Sequence, residues 1–165
     1  MQKHELKQDI LRLLRRNARI PDQEIADRLS ISVEDVAALI SELEADRQLL
    51  GYSAVIADGA LEDREVSAII EVEVQPEHDT GFDRIAENLC RFPEVRSACL
   101  VSGRYDLRLH VVGESLQDVA HFVASKLASQ SGVRATATHF MLKTYKEAGI
   151  QFHEEEEYER LKVVP

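Results

Sequence analysis

The apolar residues of this chain change their repeat once, and that change limits the folds open to it. Up to about residue 45 they recur at three- and four-residue steps; from Ser67 onward, segments repeating every second residue alternate with two of helical step. Leu6, Ile10, Leu13 and Leu14 mark one face of a helix of about three turns. Asn17 to Pro21 interrupts it, and Asp22 through Leu29 makes a short second helix with Ile25, Ala26 and Leu29 inward. Ser30-Ile31-Ser32 is a tight connection. Ser32-Val33-Glu34-Asp35 then has the form of a capping box, and it opens a third helix with the stripe Val36, Leu39, Ile40 and Leu43, fading near Asp46. Leu50 to Ile56 has the β-branched and aromatic content of a strand.

Asp58 to Glu65 is small and charged, as a connection between two units would be, which puts residues 1–60 in one domain and 61–165 in a second. Ser67 to Val74 alternates as a strand. Gly81 to Phe92 is helical, with Phe82, Ile85, Ala86 and Leu89 on one face, until Pro93 stops it. Val95 to Val101 and Leu107 to Val112 read as antiparallel strands. The loop between them, Ser102 to Asp106, is of hairpin length, with Gly103 where a positive φ would be needed. A helix from Leu116 to Ser129 (Leu116, Val119, Ala120, Val123, Leu127) and a strand from Val133 to Lys143 complete a βαββαβ order. The expected fold is α+β: a first unit of helix, helix, tight turn, helix and strand, followed by a ferredoxin-like βαββαβ domain that dimerises through its sheet.

Charge narrows the function classes. The 165 residues carry 30 acidic and 20 basic side chains, a formal −10, so a surface that grips phosphate everywhere is excluded and any nucleic-acid role rests on a local patch. Residues 1–50 carry a formal −2 against −8 for the rest. No apolar run approaches the length of about 20 residues that a membrane span requires, so no membrane association is expected. The beginning of the chain lacks secretory-signal character, and Cys90 and Cys99 read as two buried thiols in a reducing compartment; the expected location is cytoplasmic.

Ile70, Val72 and Val74 on the first strand of the sheet match Leu107, Leu109 and Val111 on the third as the face under the helices. The other face is mixed: Ile69, Glu71 and Glu73 beside Arg108, His110 and Val112. One reading is a solvated face with cross-strand pairs; the other, which we favour, is a face packed on a second copy across a two-fold axis.

In the order of its elements the chain resembles the Lrp/AsnC (feast/famine) regulators from about Leu6 to Tyr145. The residues that carry the resemblance include Ala18-Arg19-Ile20, Leu29-Ser30-Ile31-Ser32, Leu50-Gly51-Tyr52, Phe92-Pro93-Glu94-Val95, Ser102-Gly103 and Tyr105-Asp106-Leu107. The resemblance implies that the first unit is a winged helix-turn-helix, three helices plus a strand hairpin, in a transcriptional regulator that binds double-stranded DNA, senses an amino acid or related small metabolite, and assembles as a homodimer or as a tetramer or octamer built from dimers. It also makes the third helix the recognition helix, exposing Ser32, Glu34, Asp35, Ala38 and Ser41, with Arg19 and Arg28 among the nearby cations. That helix departs from the family in charge: from Ser32 to Arg47 five acids face one base. Glu34 and Asp35 also have a plain structural reading, as acids complementing the helix dipole.

The loop Ser102, Gly103, Arg104, Tyr105 and Asp106 matches the family's effector region. A carboxylate for an ammonium group and a guanidinium for a carboxylate suit a zwitterion, with Thr136, Thr138 and His139 as further candidates. Alternatively, Gly103 and Asp106 only make the turn and Tyr105 packs.

His4, His78, His110, His121, His139 and His153 share no short metal-ligand spacing, and no nucleophile constellation or phosphate loop is present. No catalysis, metal or cofactor is expected. Two alternatives stay open. One is a metabolite-sensing oligomer or heteromeric partner that has lost DNA affinity. The other is a relative of proteins that decarboxylate a modified tetrapyrrole on the same two-part scaffold, for which Arg108, His110 and His139 stand ready. Glu154 to Glu157 begins an acidic tail in which Leu161, Val163 and Val164 offer an edge strand.

Overall fold

The computed structural model describes residues 3–57, 59–62, 65–75 and 81–152. His78, His153, the Glu154–Glu157 run and Leu161, Val163 and Val164 lie outside the described residues. The chain forms two compact units, Met1–Ile56 and Ala57–Pro165.

In the first unit the helical repeats produce α1 (Lys3–Arg16), α2 (Asp22–Leu29) and α3 (Val33–Ala45). Ile10 and Leu14 of α1, Ile25 and Ala26 of α2, and Val36, Leu39 and Leu43 of α3 close one core around Ile20. The turn after α2 is made by Ser30 in the left-handed region (φ 54, ψ 46), whose N–H donates to the Ala26 carbonyl. Ser32 is extended, and its Oγ accepts the Asp35 N–H at 3.1 Å.

The strand expected over Leu50–Ile56 does not form, so among the described residues the three helices carry no strand hairpin. β-Branched content favours an extended backbone, but a strand exists only where a neighbour supplies its hydrogen bonds, and the described residues supply none here. Leu50 stays 78% exposed.

The second unit contains β1 (Val66–Val74), α4 (Asp83–Leu89), β2 (Val95–Leu100), β3 (Leu107–Gly113), α5 (Leu116–Phe122) and β4 (Val133–Phe140), in the sheet order β2-β3-β1-β4. Every pairing is antiparallel, with Ile70 opposite Leu109 and Val72 opposite Leu107. That register puts Ala68, Ile70, Val72, Leu107, Leu109 and Val111 on one buried face, against Ile85 and Leu89 of α4 and Val119 and Phe122 of α5. A short hairpin, β5 (Lys146–Glu147) and β6 (Ile150–Gln151), turns through Ala148 and Gly149, both at positive φ.

The helix expected over 116–129 changes pitch. After α5 a π-helical turn, Val123–Leu127, closes with Ala128 N–H bonded to the Val123 carbonyl at 2.8 Å. Its cause is the spacing of the buried residues: Phe122 and Leu127 lie five apart, one residue more than an α-turn keeps on a face. Leu116 and Ala120, in α5 itself, are exposed, against expectation, and Phe122 packs edge-on to Phe92.

The two cysteines are also exposed rather than buried. Cys90 lies just beyond the buried stripe of α4, and Cys99 pairs with Arg108 on the face away from the helices. No helix among the described residues is long and apolar enough to cross a membrane.

Candidate nucleic-acid interface and effector cleft

The acidity of α3 is largely answered from within the first unit. Glu42 receives Lys3 Nζ at 2.7 Å and Lys7 Nζ at 3.0 Å, and Asp46 receives Lys7 Nζ at 3.1 Å. Lys3 and then Lys7 hold the Glu42 carboxyl below its ordinary range, and hydrogen bonds to Glu42 and Asp46 raise Lys7. Tyr52 donates its hydroxyl to Glu44 at 3.0 Å; burial first, and then this acceptor, raise its phenol. At the helix start the Ser32 hydroxyl donates to Asp35 Oδ2 at 2.8 Å. In a capping box the third residue after the cap reaches back to the backbone N–H of the cap; here Asp35 takes the side-chain hydroxyl of Ser32 instead.

Ser32, Glu34, Asp35, Ala38 and Ser41 are all exposed on or before α3, as the stripe of buried residues requires. Arg28 pairs with Glu24 one turn earlier on α2. Arg19 lies in the α1–α2 connection, its N–H bonded to Asn17 Oδ1 at 3.0 Å. The ion pairs of Glu42 and Asp46 with α1 were not anticipated. Their only trace in the sequence is a pair of lysines four apart at the start of α1.

In the second unit, the open face of the sheet and the β2–β3 loop enclose a cleft of about 240 Å³ lined by Glu71, Glu73, Arg104, Tyr105, Ala135, Thr136, Ala137 and His139. Its floor follows from register: Glu71 stands between Arg108 and Ala137, Glu73 beside Ala135, and the two alanines leave the space. His139 Nε2 lies 3.7 Å from Glu71 Oε1. Carboxylates on the floor and a guanidinium on the wall can take the two ends of a zwitterion. The volume lies below the roughly 300–1,000 Å³ of pockets that hold drug-sized ligands and suits a small metabolite.

Of the residues expected at an effector site, Arg104, Tyr105, Thr136 and His139 border this cleft, whereas Ser102, Gly103, Asp106 and Thr138 do not. Asp106 is a structural clamp. Its Oδ2 accepts the Val74 N–H at 2.8 Å, its N–H donates to the Val72 carbonyl, and its carbonyl accepts the Val101 N–H. Thr138 and Thr136 pair with buried Ile70 and Val72, so their side chains point to the helix side and Thr136 offers the cleft its main chain. Gly103 does not take a positive φ; Asp106 closes the loop through hydrogen bonds. Glu71, Glu73, Ala135 and Ala137 were not among the expected site residues, although the period-2 alternation placed the two glutamates on the open face.

Arg108, His110 and His139 share that open face, with Ile69 between the histidines. His110 Nε2 is buried there without a hydrogen-bond partner. Among the described residues no cluster of three or more His, Cys, Asp or Glu is disposed to hold a metal.

Comparison with known proteins decides the family. The profile of the Lrp/AsnC ligand binding domain matches residues 67–150, and that of a winged helix-turn-helix DNA-binding domain matches residues 3–47. The chain belongs to the Lrp/AsnC family. It is 40% identical over 158 residues to the HTH-type transcriptional regulator YugG of Bacillus subtilis (strain 168), covering 95% of each chain. It is 30% identical to the leucine-responsive regulatory protein of Rhizobium meliloti (strain 1021), covering 84% of this chain and 88% of that one. The transcriptional regulator NMB0573 of Neisseria meningitidis, solved as a complex with L-Met, superposes with a TM-score of 0.66 at 25% identity, over 89% of this chain and 93% of that one. This Lrp/AsnC protein is thus a helix-turn-helix transcriptional regulator with a ligand-binding domain.

Proposed function

We propose that the chain, in the cytoplasm, binds double-stranded DNA through α3 and a small zwitterionic metabolite, an amino acid by preference, in the cleft of Glu71, Glu73 and Arg104. The observation that carries the effector half is the meeting of two carboxylates and one guanidinium in a single cleft bounded by the β2–β3 loop. The L-Met complex of the Neisseria regulator supports the same ligand class. For the DNA half, Lys3 and Lys7 offset much of the acidity of α3, and Ala38 and Ser41 leave an uncharged stretch on its exposed side.

The protein acts as a homodimer at least. Ile69, Val112, Arg108 and unpartnered His110 Nε2 lie on a sheet face that a second copy would cover in part, leaving the cleft at Glu71 and Glu73 open at its edge. Residues 1–60 are then the reader and residues 61–165 the sensing and assembling half. A ligand that binds one spacing of the paired readers better than another changes DNA affinity by linkage.

The test is a mobility-shift titration with the gene's own upstream duplex at stepped salt, with light scattering on the same sample. Retardation that weakens as salt rises, from a dimer or larger species, is the expected result. Absence of retardation at low salt favours a sensing partner without DNA affinity, and a monomer at micromolar concentration contradicts the assembly.

A further inference from the structure

We propose that Glu34 reads a cytosine in each DNA half-site and is the charged base-reading side chain on the exposed side of α3. The inference rests on the DNA-binding reading above and assigns a specificity to it.

The argument follows each carboxylate of the segment in turn. Glu42 and Asp46 are turned toward α1 by Lys3 and Lys7. Glu44 holds the Tyr52 hydroxyl. Asp35 is bound into the helix start, its N–H on Ser32 Oγ and its Oδ2 receiving the Ser32 hydroxyl, so neither Ser32 nor Asp35 is at liberty to leave the cap. Glu34 is exposed and has no partner among the described residues. It stands at the head of the row Glu34, Ala38, Ser41, spaced four and then three apart along one side of the helix, with exposed Ala37 beside it. Behind it, then, the helix presents short side chains that let its backbone approach base edges, while the glutamate reaches ahead of them.

The chemistry of the groove selects the base. An ionised carboxylate accepts hydrogen bonds and donates none. In the major groove guanine presents two acceptors, thymine an acceptor and a methyl group, and adenine a donor flanked by its own N7 acceptor; cytosine alone presents an amino donor, N4, with no acceptor on the same base. Glu34 therefore discriminates in favour of cytosine. Its repulsion from phosphates is independent of sequence, so it lowers general affinity without erasing the preference.

The experiment is selection from a pool of randomised duplexes by the full-length protein, followed by sequencing, for wild type, Glu34→Gln and Glu34→Ala. Wild type should prefer cytosine at one position of each half-site by roughly ten-fold. Glu34→Ala should flatten that position. Glu34→Gln should move it to adenine, whose N6 and N7 suit an amide, while binding random DNA more tightly through the lost negative charge. On wild type alone, N4-methylcytosine at the selected position should weaken binding by a similar factor, and Glu34→Ala should not respond to it. An identical base profile in all three proteins, or indifference of wild type to the N4-methyl group, overturns the assignment while leaving DNA binding intact. If wild type retains no duplex, both readings are overturned together.

Discussion

Ser32 and Asp35 hold one another at the start of α3: the Asp35 N–H donates to Ser32 Oγ at 3.1 Å and the Ser32 hydroxyl donates to Asp35 Oδ2 at 2.8 Å. Ser115 and Asp118 repeat the arrangement at the start of α5, at 3.2 and 2.6 Å. Each pair satisfies a backbone donor that the first helical turn leaves open. Ser32→Ala should lower stability by about 1 kcal/mol, read as a lower midpoint in thermal unfolding followed by circular dichroism; an unchanged midpoint would show that the cap contributes nothing.

Ser30 sits at φ 54 and ψ 46, where a side chain is disfavoured and glycine is not. Ser30→Gly keeps the turn between α2 and α3 and relieves that strain, offset in part by the greater freedom of glycine in the unfolded chain. A gain of roughly 0.5–1 kcal/mol is expected in denaturant titration. A loss of stability would mean that the serine side chain holds the turn.

The contact of α1 with α3 should weaken at both ends of the pH scale. Lys3 and Lys7 hold folded Glu42 below its ordinary value of 4.5, so the stability it supplies is present above 4.5 and disappears as pH falls through the folded value. Lys7 is raised above 10.5 by Glu42 and Asp46; its contribution is present below 10.5 and is lost as pH rises through the folded value. Thermal midpoints measured from neutral pH downward should fall less steeply in the Lys3→Met, Lys7→Met double variant than in wild type. Parallel curves would remove these ion pairs from the account.

The cleft and the clamp beside it are separable by substitution. Arg104→Ala and Glu71→Gln, at groups lining the cleft, should each weaken amino-acid binding roughly ten-fold or more while leaving the unliganded fold unchanged. Asp106→Ala removes the acceptor of the Val74 N–H and should instead lower stability by about 1–3 kcal/mol. A thermal-shift screen across amino acids reads both effects at once. Equal behaviour of the three variants would contradict the division of roles.

The helices, the sheet order and the buried face were legible because each depends on a repeat carried by the residues themselves. Ile10 and Leu14 repeat at helical spacing, and Ile70 and Val72 alternate in step with Leu107 and Leu109. Features that depend on partners distant in sequence were not. Leu50–Ile56 has the composition of a strand and lacks a neighbour, and Lys7 reaches Asp46 across 39 positions. At the effector cleft, Arg104 and Tyr105 followed from the loop, whereas Ala135 and Ala137 become site residues only once β4 is set in register beside Glu71 and Glu73. Asp106 stayed open in the sequence between a ligand group and a turn residue because composition cannot distinguish a carboxylate that meets a metabolite from one that receives the N–H of a neighbouring strand.

The central claim joins a reading helix to a sensing cleft in one protein, and fluorescence anisotropy of a labelled upstream duplex tests it most directly. The titration is run at stepped salt, with and without a mixture of amino acids, on wild type and Arg104→Ala. The account predicts affinity that falls with salt in both proteins and is shifted by amino acids in wild type alone. Salt-dependent binding that amino acids leave unchanged in wild type, or that they shift equally in Arg104→Ala, would contradict it.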